Sequence, residues 1–174
     1  MHALEQMFPS LTLFSDLNWD AVTQEYETEY IDLSFPEYLQ QKAIDGDCPP
    51  YLFELAFYEL ALFDAKTSAE PFPFKPGVYL NPTALFLSLE FDVMRMMKEA
   101  KEGKVEVYER NQVLCLYRDT HDKIHTLEMT DDDLDLLQHL EDGPQIDKNF
   151  VDQKNSDHFK KFTKNGLILD LLSA

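Results

Sequence analysis

A chain of 174 residues with 44% hydrophobic and 13% aromatic residues carries enough apolar material for a core, in one compact body or two small subdomains. Its 33 acidic residues against 15 Lys and Arg give a net charge of −18 and an isoelectric point near 4.4, which argues against a surface built to neutralise phosphates. No basic stretch followed by an apolar run opens the chain and no apolar run is long enough to cross a bilayer, so a soluble cytoplasmic protein is expected.

The acidic excess is uneven. Residues 1–100 hold 17 acidic and 5 basic residues, and residues 101–174 hold 16 and 10. Lys154, Lys160, Lys161 and Lys164 are the one local basic group, and basic residues near a helix end commonly face solvent.

Along the chain, Trp19 to Ile31 reads as an acidic helix. Ser34-Phe35-Pro36-Glu37 has the form of a capping box and opens a short helix that stops near Gly46. Pro49-Pro50 starts another, from Tyr51 to Ala65, which is apolar nearly all round and therefore expected to be heavily buried. Pro71, Pro73, Pro76 and Pro82 with Gly77 exclude regular helix from 68–82 and mark an extended connector that closes an N-terminal helical domain over 1–80. Asn81 as N-cap and Pro82 at the first helical position predict a linking helix over 81–103, through Leu85, Leu89, Val93 and Met97 to Gly103.

Residues 104–174 read as a winged-helix-like domain. Lys104 to Arg110 and Gln112 to Arg118 alternate apolar and polar residues about a tight turn at Asn111, and Lys123 to Met129 repeats the pattern after the Asp119-Thr120-His121-Asp122 turn. Thr130 then caps a helix whose first turn is Asp131-Asp132-Asp133, placing carboxylates at the positive end of the helix dipole, and Asp142-Gly143 ends it. A Phe159 to Phe162 segment and the Gly166-Leu167-Ile168-Leu169 tail complete the core. The fold class expected is α+β, helical first, then a three-stranded antiparallel sheet with helices.

Motifs for autonomous chemistry are missing from the sequence. Cys48 and Cys115 form no Cys-x-x-Cys pair, and Cys115 shares a strand face with Val113 and Tyr117, as a packed thiol would. His121 and His125 with Asp119 and Asp122 are metal-ligand types, yet they straddle a turn and a strand where side chains diverge, so no metal is expected on this chain. Glu54 and Glu59, five residues apart on one helix, point in different directions and read as side chains that snorkel past the core rather than as an acid and base pair. No glycine-rich phosphate loop and no Gly-x-Ser-x-Gly elbow occurs.

Three runs, Phe35-Pro36-Glu37-Tyr38-Leu39, Pro49-Pro50-Tyr51-Leu52-Phe53-Glu54-Leu55-Ala56 and Glu59-Leu60-Ala61, resemble the N-terminal helical domain of the HvfC-type family, which often carries a DNA-binding label. Val113 to Arg118, Thr130 to Gly143 and Asn165-Gly166-Leu167-Ile168 resemble its C-terminal part and, more loosely, the winged precursor-recognition element of ribosomal peptide modification systems. The family is similar to the partner protein of the methanobactin pathway, which accompanies a separate multinuclear non-haem iron enzyme that oxidises cysteines of a precursor peptide. The resemblance therefore implies a non-catalytic accessory subunit with no cofactor of its own, iron on the partner enzyme and a Cys-bearing precursor peptide as ligand.

On that reading the strand Lys123, Ile124, His125, Thr126, Leu127 and Glu128 is an exposed edge that accepts the peptide by strand addition, with Phe159 and Phe162 as anchors for its apolar side chains. Phe35, Tyr38, Tyr51 and Phe53 are the aromatic residues expected to dock the enzyme. The competing expectation is a transcription regulator whose C-terminal winged helix reads DNA.

Overall fold

The computed structural model describes residues 3–14, 17–141 and 156–172. The chain is an α+β protein. It divides into two compact units, residues 1–63 with 87–112 and residues 64–86 with 113–174, so the polypeptide passes from one to the other at three places.

The first unit contains α1 (Ala3–Met7), α2 (Leu11–Phe14), α3 (Trp19–Glu29), α4 (Phe35–Ile44), most of α5 (Tyr51–Thr67) and α6 (Val93–Lys101). Asn18 caps α3 by accepting from the Ala21 amide at 3.2 Å. The Ser34 capping box forms as expected: Ser34 Oγ accepts from the Glu37 amide, and the Ser34 amide donates to Glu37 Oε2 at 2.7 Å. That cap fixes Phe35 at the start of α4, where its ring meets Phe8 at 5.1 Å, Tyr26 at 5.3 Å and Tyr38 at 5.7 Å between centroids.

The apolar helix α5 is buried, but its two glutamates do not snorkel. Glu54 is 3% exposed and accepts from the Glu90 and Phe91 amides at 2.9–3.0 Å. Glu59 is 8% exposed and accepts from the Ser10 amide at 3.1 Å and hydroxyl at 2.7 Å. Each carboxylate thus satisfies backbone groups that the surrounding apolar side chains cannot. Burial raises both carboxyls above the usual range, against the lowering effect of those hydrogen bonds.

The linking helix expected over 81–103 forms only as α6. Residues before it build β2 (Leu85–Phe91), and Asp92 rather than Asn81 is the cap, accepting from the Arg95 amide at 3.1 Å. Leu85, Leu89 and Val93 fit a helical period, but Leu87, Leu89 and Phe91 fit a period of two equally well, and a neighbouring strand decides between them. That neighbour is β3 (Glu109–Arg118), which runs straight through Asn111. Residues 104–108 form no strand, so the expected hairpin at Asn111 is replaced by β2 as the first strand of the sheet. Asp122 (φ 61°) is the single non-glycine residue with positive φ among those described, whereas a two-residue hairpin at Asn111 would demand that geometry twice.

The sheet is three-stranded and antiparallel in the order β2–β3–β4, with β4 at Ile124–Met129. In the second unit β4 pairs with β3 from Val113↔Met129 to Arg118↔Ile124. A separate two-stranded ladder joins β1 (Val78–Leu80) to β5 (Ile168–Asp170), from Val78↔Asp170 to Leu80↔Ile168. The helices α7 (Asp131–Glu141) and α8 (Asp157–Asn165) pack around a core that includes Val78, Cys115, Tyr117, Leu137, Phe162 and Ile168. Thr130 caps α7 reciprocally: its hydroxyl accepts from the Asp133 amide at 3.2 Å and its amide donates to Asp133 at 3.0 Å. The stop expected at Asp142-Gly143 lies outside the described residues.

Asn81, expected to start a helix, instead ties the unit together. Its side-chain amide donates to the carbonyls of Arg118 and Gly166, each at 2.9 Å, while its oxygen accepts from the Thr83 amide at 2.9 Å and hydroxyl at 2.8 Å. The Gly166 backbone at φ +80° ends α8 in the left-handed conformation that glycine takes without strain, as the expected tail requires.

Candidate peptide-binding edge

The local chemistry of the β3–β4 hairpin is set by Asp119. One carboxylate oxygen accepts from the amides of His121 at 2.8 Å and Lys123 at 3.0 Å, closing the turn, and the other meets His125 Nε2 at 2.7 Å. The His125 ring in turn lies flat on Tyr117, with centroids 5.0 Å apart and planes 13° from parallel. Burial works upward on the Asp119 carboxyl, yet its hydrogen bonds to His125, Lys123 and His121 outweigh it and hold the group down at about 2. The Asp119 carboxyl is therefore ionised at ordinary pH.

From that corner β4 runs along one side of the sheet. It is an end strand in the sheet order, so the edge away from β3 carries no strand among the described residues. Ile124, His125, Thr126 and Leu127 are half-buried, Lys123 and Glu128 are exposed, and Met129 enters the core. Leu127 lies opposite Cys115, whose thiol is fully buried and pushed up to about 12 by burial.

The other expected site residues fall elsewhere. Phe159 is 3% and Phe162 0% exposed, and both belong to the core of the second unit, so they fill it rather than wait for a ligand. Phe35 and Tyr38 are likewise core residues of the first unit. Tyr51 and Phe53 keep partial exposure: Tyr51 donates to the Phe14 carbonyl at 3.3 Å, and Phe53 packs edge-on against Phe57 at 6.2 Å.

Neither a family model nor a curated protein matches this sequence.

Among the described residues no group of three or more His, Cys, Asp and Glu side chains is arranged to hold a metal ion, and no helix is long and apolar enough to cross a membrane. Sequence reasoning missed the contact between α7 and α8, where His158 Nδ1 meets Asp133 Oδ1 at 2.5 Å. Burial again works upward on Asp133, and the Thr130 amide, His158 and the Thr130 hydroxyl bring the carboxyl below its ordinary value. Ser156 lies beside this pair, but its hydroxyl accepts from the Phe159 amide at 3.1 Å and so caps α8. Nothing local in the sequence signals a pairing across 25 residues.

Proposed function

We propose that this chain is a non-catalytic accessory subunit that holds a ribosomally made, Cys-bearing precursor peptide and presents it in the cytoplasm to a separate multinuclear non-haem iron enzyme. The iron ligands belong to that enzyme. The observation that carries the reading is the place of β4 at the end of its sheet, which is what strand addition needs. The three-stranded sheet followed by α7 and α8 fits a winged-helix-like recognition element, and the runs about Phe35 and Tyr51 support the same family.

Backbone pairing alone is too weak. Ordering six peptide residues costs about 6 to 12 kcal/mol, while six hydrogen bonds return about 1 kcal/mol each. Two or three apolar peptide side chains, worth about 1.5 to 3 kcal/mol each when buried, must make up the difference. Because Phe159 and Phe162 are core residues, those anchors lean instead on the half-buried side chains of Ile124 and Leu127 or on surfaces nearby. On the first unit, Tyr51 and Phe53 remain the aromatic residues offered to the enzyme, whereas Phe35 and Tyr38 are core residues.

Titration with a Cys-bearing precursor peptide, followed by backbone amide shifts, is expected to move Ile124 to Glu128 most. Shifts that spare those amides while moving others overturn strand addition at β4. The regulator reading has one observation in its favour, the three lysines of α8, and a net charge of −18 against it.

A further inference from the structure

A cleft of about 390 Å³ opens beside α8, lined by Phe159, Lys160, Thr163, Lys164 and Asp170. Along α8, Phe159 and Thr163 stack on neighbouring turns, as do Lys160 and Lys164, because positions four apart are neighbours on a helix surface. Phe159 lies at the base of the cleft but is only 3% exposed, its ring filling the core. Lys160 and Lys164 are exposed above it, and among the described residues neither forms an ion pair. Thr163 Oγ1 is buried and finds no hydrogen-bond partner among the described residues, although a threonine inside a helix ordinarily bonds back to a carbonyl one turn earlier. Asp170 stands at the far rim, where its carboxylate accepts from the Leu172 amide at 3.1 Å.

The charge of this face runs against that of the molecule. Helix α8 carries three lysines and one aspartate, in a chain with 33 acidic residues. A small cationic site on an anionic body selects a ligand whose own negative charge is local. Duplex DNA spreads its charge evenly and would meet the repulsion of the whole surface, whereas a short peptide brings one or two carboxylates to the lysines alone. A pair of ammonium groups on aliphatic stems further matches a carboxylate next to an apolar side chain.

We propose that the α8 cleft is a second peptide-recognition site, which takes a Glu or Asp carboxylate on Lys160 and Lys164 and seats the adjoining apolar side chain along the aliphatic stems of those lysines. It rests on the accessory-subunit reading only in taking a peptide as the ligand, and it does not require pairing at β4.

The test is an amide-shift titration of the full chain with a capped peptide alternating glutamate with leucine, and with its glutamine counterpart of equal shape. The glutamate peptide is expected to shift Phe159, Lys160, Thr163, Lys164 and Asp170, and the glutamine peptide to leave them still. The double substitution Lys160→Gln with Lys164→Gln is expected to weaken the glutamate peptide roughly tenfold, because two partly exposed charge contacts are lost. Lys160→Gln alone should give an intermediate loss, which separates lost contacts from a misfolded helix. Three results each overturn the site: no shift up to about 1 mM peptide, equal shifts with the glutamine peptide, or tighter binding of a duplex oligonucleotide through the same lysines. Movement at the cleft with Ile124 to Glu128 unmoved sinks strand addition and leaves the cleft standing. Movement at β4 alone does the reverse.

Discussion

In the first unit Glu54 and Glu59 lie deep among apolar side chains and are met by backbone amides and a serine hydroxyl, while in the second unit Asp119 and Asp133 are each met by an imidazole as well as by amides. Burial opposes the anion in all four. In the glutamates it prevails and their carboxyls titrate higher than usual; in the aspartates the hydrogen bonds prevail and the carboxyls titrate lower. The lesson is that depth alone does not set the sign of a buried carboxylate's contribution to stability. What decides it is the balance between lost hydration and the donors that replace water.

The strongest way to break this comparison is Glu54→Ala. The substitution strands the amides of Glu90 and Phe91 beside a new void, and each orphaned amide costs about 1–3 kcal/mol. Urea unfolding should show a loss of about 3 kcal/mol. A loss below about 1 kcal/mol would mean that water or a rearranged backbone replaces the carboxylate.

A milder perturbation is acid, which should separate the two units. For Asp119 the folded value of about 2 lies below the unfolded value near 3.9, so its contribution is present above pH about 3.9 and fades as pH falls toward about 2. Asp133 acts in the same direction. Glu54 and Glu59 have the opposite sign: their contribution is complete below the unfolded glutamate value near 4.3 and fades as pH rises through their raised folded values. Hydrogen exchange through that acid window should therefore show α7 and the Asp119 turn losing protection before α5. Simultaneous loss in both places would remove the distinction between the units.

The smallest effect expected is at Asn111, which is exposed within β3. Asn111→Val replaces a poor strand former by a good one and should change stability by no more than about 0.5 kcal/mol, with the sign favouring the variant. A loss of about 2 kcal/mol in thermal unfolding would restore a turn at this position.

What could be read in advance was local. The Ser34–Glu37 box, the Thr130 cap and the Asp119–Asp122 turn each lie within a few residues, and each formed where residue type and spacing placed it. Leu85 to Phe91 was ambiguous because two periodicities coincide there, and only the distant strand β3 resolves it. The partners of Glu54 and Glu59 lie 36 and 49 residues away, beyond any spacing rule, so carboxylates that anchor the backbone resembled solvent-seeking ones. At the site, the β4 segment was legible from alternation and the hairpin turn. The burial of Phe159 and Phe162 was not, because an amphipathic helix shows the same face whether it covers a core or a ligand.

The pairing of β1 with β5 also governs how the protein can come into being on the ribosome. Val78 pairs with Asp170, and Asn81 must wait for the carbonyl of Gly166. The second unit therefore stays unfinished until β5 clears the exit tunnel, its apolar Val78 and Tyr117 unclosed until then, and excising residues 104–174 would discard the strand and the asparagine that complete it.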